Sequence, residues 1–320
     1  MSLLRLLIAA LISLAASSAG LAQSYPNRPI RLMVAFPPGG SSDYVARVMQ
    51  PRLEARFGQP VIIDNRPGGA GAVALEALAA APADGHTLLL GGAAPFTSSP
   101  AMLGNVSFDP QKDFIPVTIV AEVPFILGAA PDLPEKTLAE VVARAKDKPQ
   151  SLSIGHGGNN TAMQYTAMLF NHMAGAKVEL VPYRGTGPVM NDLLGSHIPL
   201  GILDPPTSMS QIQAGKIRPL AISTKKRFPV LPDIPTFDEL GMKGFEFTGW
   251  FGIQIRSGTP PEIVNKISEL LIAVLKEPEV VDKIRAAGAE ARPTTLAEQA
   301  AFIKEETIKR AELLKTMGAQ

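Results

Sequence analysis

No cysteine occurs anywhere in the chain. That excludes disulfides, thiol catalysis, Cys-based metal sites and a lipid-modified N-terminal Cys. Histidine is nearly as scarce, with four residues at positions 86, 156, 172 and 197; no His-Glu-X-X-His occurs, and their spacing is not that of a zinc site. A Gly-X-Ser-X-Gly elbow is missing, which removes the usual α/β-hydrolase nucleophile. The Gly39-Gly40 loop lacks the later residues of a Walker A or dinucleotide fingerprint. Basic runs are missing except Lys225-Lys226-Arg227, which reads as a solvated loop. With 30 Lys and Arg against 29 Asp and Glu, the charge balance argues against nucleic-acid partners.

Long apolar runs are missing beyond the N-terminus. There, Arg5 precedes LLIAALISLAA at residues 6–16, and Gly20-Leu21-Ala22 supplies small residues at the −3 and −1 positions. This is the pattern of a cleavable export signal over residues 1–22, and its apolar run is too short to span a bilayer. Cleavage would remove Arg5 and no acid, leaving 29 basic and 29 acidic residues. The expected mature chain is soluble, exported, untethered and monomeric. Without disulfides its stability must come from core size.

What the chain does contain is α/β punctuation. Its 320 residues suggest two domains at roughly 150 residues each. Strands are expected at 30–36, 61–63 and 87–90, with helices at 43–57 and 72–81 between them, which makes a βαβαβ run. Residues 117–130 are apolar, too long for one strand, and interrupted by Pro124, as suits a crossover between domains. A helix follows at 137–146, with Thr137 and Glu140 in capping-box spacing. The α/β alternation then repeats: strands at 152–154, 178–181, 200–203 and 220–223, helices at 161–173, 188–194 and 207–214. Residues 245–255 read as a return crossover that carries Trp250. Thr259-Pro260-Pro261-Glu262 reads as a second capping box, opening a helix with a stripe of Ile263, Val264, Ile267, Leu270, Leu271, Val274 and Leu275. Helices near 280–287 and 296–316 close the chain. The first lobe is expected over residues 23–122 and 252–320, and the second over 123–251. Two crossovers between them make a hinge.

Two stretches share one pattern. Residues 30–50 (IRLMVAFPPGGSSDYVARVMQ) and 151–170 (SLSIGHGGNNTAMQYTAMLF) each run from strand to double glycine, to small polar residues, to helix. A helix N-terminus presents unpaired N–H groups and the positive end of a dipole, so each stretch is an anion seat. One seat in each lobe suggests a small anion gripped between them. The loop at 91–95, with Ala93 and Ala94, follows a strand end and joins the candidate site.

Over essentially the whole mature chain, the sequence resembles the solute-binding proteins of the tripartite tricarboxylate transporter type, called Bug proteins after the Bordetella uptake genes. The resemblance rests on Phe36-Pro37-Pro38-Gly39-Gly40 with Asp43, Asn65-Arg66-Pro67-Gly68-Gly69-Ala70-Gly71 and Asp84-Gly85-His86-Thr87-Leu88-Leu89. It continues in Val181-Pro182-Tyr183-Arg184-Gly185, Leu231-Pro232-Asp233-Ile234-Pro235-Thr236 and Trp250-Phe251-Gly252. It implies a two-lobed periplasmic-binding-protein fold (Venus-flytrap, type II), each lobe a mainly parallel sheet flanked by helices, with two hinge crossovers. It also implies capture of a small carboxylate by the loops at 37–43 and 155–161, for delivery to membrane components of such a transporter. In the second loop, His156, Asn160 and Gln164 stand where the family pattern has serine, glycine and histidine.

The expected ligand contacts are therefore Phe36, Gly40, Ser41, Ser42, Asp43, Ala93, Ala94, His156, Asn159, Asn160, Thr161, Arg184 and Asp204. Asp43 serves equally well as a cap. Arg184 offers a fork for a second carboxylate. Asp204 could accept from the ligand or order Arg184. Trp250 reads as hinge packing. The expected ligand is a dicarboxylate or an aromatic carboxylate, with no catalysis, metal or cofactor. A ligand-dependent partner of a membrane sensor kinase is the alternative role, and a hydrolase on the same fold the third.

Overall fold

The computed structural model describes residues 25–97 and 106–316; the expected export signal lies outside them. The chain opens with β1 (Ile30–Val34), α1 (Ser41–Phe57), β2 (Val61–Asn65), α2 (Ala72–Ala79), β3 (Thr87–Gly92) and a single turn, α3 (Ala94–Thr97). Next come β4 (Phe114–Val123) and β5 (Ile126–Ala129), which belong to different sheets. Pro124 and Phe125 separate them, because proline lacks the N–H needed to continue a ladder.

The second sheet is built from β5, β6 (Ser153–His156), β7 (Glu179–Pro182), β8 (Leu200–Leu203) and β9 (Arg218–Ile222), ordered β7-β6-β8-β5-β9. Its helices are α4 (Leu138–Asp147), α5 (Ala162–Ala174), α6 (Thr186–Leu194) and α7 (Pro205–Gln213). The return strand β10 (Gly249–Arg256) rejoins the first sheet, followed by α8 (Pro261–Leu275), α9 (Pro278–Ala286), β11 (Glu290–Ala291) and α10 (Leu296–Thr316). The first sheet is ordered β11-β4-β10-β3-β1-β2.

The two-lobed α/β architecture is as expected, but both sheets are mixed. The pairs β1/β2, β1/β3, β6/β7 and β6/β8 are parallel, as right-handed βαβ connections require. Strands that carry the chain between lobes enter from the opposite end and pair antiparallel. Thus β10 is antiparallel to β3 and β4, and β5 to β8 and β9. The carboxyl ends of the parallel strands in both sheets consequently face the partner lobe, where open α/β sheets place their ligands.

Each sheet has its own core. On one face of the first, α1 buries Val45, Ala46, Met49 and Leu53 against β1, while α8 buries Val264, Ile267, Leu271, Val274 and Leu275. That helical spacing puts one apolar stripe against the sheet. Truncating the fully buried Leu271 to Ala would cost about 2–5 kcal/mol. The second core gathers Leu127, Ile154, Phe170, Ile202, Phe237 and Phe245.

The helix-start expectations divide. Thr137 and Glu140 form the reciprocal capping box at α4. Thr259 does not cap α8; its hydroxyl donates to the Arg256 carbonyl at 2.7 Å, and Pro260 occupies the N-cap without a side-chain bond. The last helix, α10, touches both lobes. Phe302 packs near Trp250, and farther along Arg310 lies over the rings of Tyr165 and Phe247 at 5.8 and 5.1 Å.

Candidate functional site

A cavity of about 130 Å³ lies between the sheets, at the carboxyl ends of their strands. A second, of about 360 Å³, adjoins it and shares Phe36, Pro37, Ala70, Gly157, Thr161 and Arg184. The inner cavity is bordered by the β1–α1 loop, by the starts of α3, α5 and α6, and by the crossover residues Val123, Phe125, Gly249, Trp250 and Phe251. The outer one is bordered by two glycine-rich loops, residues 67–71 and 157–160, with Tyr183 and Arg184.

At α1, Gly40 occupies the N-cap and supplies no side-chain bond to the first turn. The loop before it is held from behind. Asp43 accepts the Gly39 N–H at 3.0 Å and a forked pair from Arg47 at 2.8 and 3.1 Å, and Asn65 donates to the Phe36 carbonyl at 3.0 Å. Burial would raise the Asp43 pKa, but the bonds from Arg47, Gly39 and Asn65 outweigh it and hold the carboxyl below its usual value. Asp43 is buried and does not line either cavity; the structure gives it the loop-structuring role. Ser41 and Ser42 both line the inner cavity. The Ser41 hydroxyl meets Thr207 Oγ1 across the lobes at 3.1 Å. The Ser42 Oγ is buried and has no partner, a state that costs free energy unless a ligand satisfies it.

The start of α6 is the second uncapped N-terminus, and the sequence reading did not include it in the site. Gly185 is the N-cap, with φ 104° and no side-chain bond to the helix. Only glycine takes that backbone freely, and the position sits beside Pro37 of the opposite lobe, whose Cδ would be 3.5 Å from an added Cβ. Its N–H donates to the Gly157 carbonyl at 3.1 Å, which fixes the direction of the helix. The expected start at Pro188 was late because Pro188 lies inside the first turn, where proline is tolerated. Gly185-Thr186 ahead of that proline was the available signal.

The start of α5, read as the second anion seat, is already occupied by its own side chains. Thr161 Oγ1 accepts the Gln164 N–H at 3.3 Å and donates to the Gly158 carbonyl at 2.7 Å. Gln164 folds back onto the loop; its Oε1 accepts the Asn160 N–H at 2.7 Å and its Nε2 donates to Asn159 at 3.3 Å. Asn160 has φ 60°, which explains an asparagine where the family pattern has glycine, since asparagine tolerates this region better than most residues. Asn159 and Asn160 border the outer cavity, and Thr161 borders both.

His156 does not line either cavity. It is fully buried at the end of β6, its Nδ1 lies 3.1 Å from the Gly158 carbonyl, and Nε2 has no partner. Burial lowers its pKa, so it stays neutral. It supports the loop from beneath, because its position in the strand turns its side chain into the lobe.

The remaining expected residues reach the inner cavity. Phe36, Gly40, Ala93, Ala94, Arg184 and Asp204 all line it. Asp204 caps α7, accepting the Thr207 N–H at 3.2 Å, and also accepts the Thr186 hydroxyl at 2.5 Å. It therefore orders the start of α6, and no bond joins it to Arg184. Arg184 is exposed and borders both cavities, and it has no hydrogen bond or ion pair among the described residues. The floor was missed as a site. Val123, Phe125, Trp250 and Phe251 were read as crossover or hinge packing and are also wall, and Met163, at the start of α5, joins them. Among the described residues no cluster of three or more His, Asp or Glu could hold a metal ion, and no helix is long and apolar enough to cross a membrane.

Comparison with known proteins gives one consistent result. Residues 45–319 match the family described as the tripartite tricarboxylate transporter family receptor. Protein BugT of Bordetella pertussis is 32% identical over 326 aligned residues, covering 100% of this chain and 99% of BugT. The structure of Rpa4515 of R. palustris with adipate superposes with a TM-score of 0.87 at 32% identity, covering 92% of this chain and 99% of that one. MatC from Rhodopseudomonas palustris with bound malate gives a TM-score of 0.82 at 28% identity, covering 92% of this chain and 100% of that one.

Proposed function

The chain belongs to the tripartite tricarboxylate transporter receptor family, and from that premise we propose that it is a periplasmic receptor that closes its two lobes around a small organic carboxylate and presents it to the membrane components of a transporter. One observation carries this reading. Two uncapped helix N-termini, α1 from one lobe and α6 from the other, open on one cavity beside the partnerless Ser42 Oγ. Free N–H groups and helix dipoles favour a negative guest. Bringing the lobes together excludes water and strengthens each of these contacts. Arg184 immediately precedes the Gly185 cap and has no competing acid partner among the described residues, so its guanidinium is available to the same carboxylate. Binding requires both lobes, which couples occupancy to closure.

A receptor fits this site better than a hydrolase. The Ser41 hydroxyl bonds to a threonine, and His156 bonds to the Gly158 backbone below the cavity, so neither serine has a base in place. The adipate and malate in Rpa4515 and MatC support the carboxylate class. A thermal-shift comparison of carboxylates with their own amides tests the reading. A ligand that binds only the folded state raises Tm. The acids should raise it and the amides should not; equal shifts from both would refute the carboxylate assignment.

A further inference from the structure

The inner cavity is chemically lopsided. Its anion-seeking groups are few: the uncapped ends of α1 and α6, the Ser42 hydroxyl, and Arg184 one residue before the α6 cap. Phe36, Val123, Phe125, Met163, Trp250 and Phe251 supply the apolar remainder of the wall. Several polar groups of that remainder are already engaged. Trp250 Nε1 donates to Glu306 at 3.3 Å, and the β10 backbone pairs with β3 and β4. The Phe125 N–H donates to Ser223 Oγ at 2.9 Å, and its carbonyl accepts the Ser223 N–H at 2.8 Å. The other charged group in the wall is Asp204, an acid. Gly249 keeps the floor flat; an added Cβ there would lie 2.6 Å from the Phe125 ring.

We propose that the ligand carries a single carboxylate on a compact apolar body, a ring or a short branched chain, and that the receptor discriminates against aliphatic dicarboxylates such as those in Rpa4515 and MatC. The inference rests on the receptor reading above and narrows it. A second carboxylate pushed among the aromatic and aliphatic side chains of the floor would lose its hydration there, which is unfavourable for a buried charge. An apolar body loses nothing, and aromatic neighbours favour a ring. The size agrees: an apolar cavity of roughly 150 Å³ is known to admit benzene, and this one measures about 130 Å³ before the outer cavity is added. The single Arg184 beside the α6 cap serves one charge and leaves no cation for another among the lining residues.

The test uses the unmodified protein and titration calorimetry with benzoate, cyclohexanecarboxylate, adipate, malate and benzamide, alongside emission from Trp250, the chain's one tryptophan. Benzoate and cyclohexanecarboxylate should bind at least tenfold more tightly than adipate or malate, and both should shift the Trp250 emission. Adipate or malate binding as tightly as the ring acids would overturn the proposal and leave the carboxylate receptor standing. Ring acids that bind without moving the emission would also overturn it, because their bodies would lie off the floor. Benzamide matching benzoate, or no acid binding at all, would remove the receptor reading itself.

Discussion

The two strand–glycine–helix stretches look alike as sequence and differ as sites. In the first, residues 37–43, the loop is braced from behind by Asp43 and Asn65, and the α1 N-terminus is left open with Ser42 Oγ unpartnered. In the second, residues 155–161, the loop consumes its own donors: Thr161 and Gln164 cap α5 and the preceding turn, and His156 is sealed beneath. The opening in that lobe has moved to Gly185 at α6. What makes an anion seat is therefore unspent hydrogen-bonding capacity facing a cavity. Glycine and small polar residues permit it, but whether a nearby side chain has already taken the donors decides it.

The largest test of this contrast is Asp43→Asn. The change removes the charge that holds Arg47 and the Gly39 N–H, and should lower stability by about 2 kcal/mol, with Arg47 largely exposed and so contributing the smaller share. Affinity for every ligand should fall together, because the whole loop loosens. Denaturant midpoints with parallel calorimetry would check it; a selective loss for one ligand would mean Asp43 touches that ligand after all. In the wild type the Asp43 carboxyl titrates below its usual value of 3.8. Its contribution is complete above that value and is lost as the pH falls through the lowered one.

A matched pair should separate open from filled. Thr161→Ala removes a cap and should cost about 1 kcal/mol of stability with ligand affinity changed less than about threefold. Ser42→Ala should do the reverse, lowering affinity by about 1 kcal/mol, or roughly fivefold, while stability holds or rises slightly because a buried partnerless hydroxyl is gone. The same response from both variants would erase the distinction between the two loops.

The smallest effect belongs to His156. Its pKa is lowered from 6.5 by burial, so the unfolded chain binds its proton first as the pH falls. Stability from this group is whole above about 6.5 and declines below it, down to the lowered value. His156→Gln should flatten the fall of stability that begins below about pH 6.5. Binding measured at constant folded fraction should keep its pH dependence, since the ring does not line either cavity. A change in the pH profile of affinity instead would return His156 to the site.

The α/β elements were legible to within a few residues. Alternation and glycine–proline punctuation mark them directly, as the break at Pro124 between β4 and β5 shows. Most of the expected contacts do reach the two cavities, because strand ends announce the loops that follow them. Two kinds of error have physical causes. Asp43 and His156 were placed at the site because they sit in the right loops, but a side chain one position along a strand or turn points into the lobe. Val123 and Phe125 were read only as crossover and Trp250 as hinge packing, because apolar residues at a hinge look like connection or core, and only the gap between the lobes makes them a wall.

By itself, the sequence determined the family, the two α/β halves, the absence of thiol chemistry and the loops that border the two cavities. These follow from local backbone preferences, periodicity and residue chemistry, which neighbours in the chain set. Tertiary structure decided which helix ends remain open, which polar atoms are already paired, and that apolar crossover residues share one cavity with the open helix ends. Those properties depend on residues as distant as Ser41 and Thr207, or Trp250 and Glu306, arriving at one place, and linear order carries no record of which donors have been used when they do.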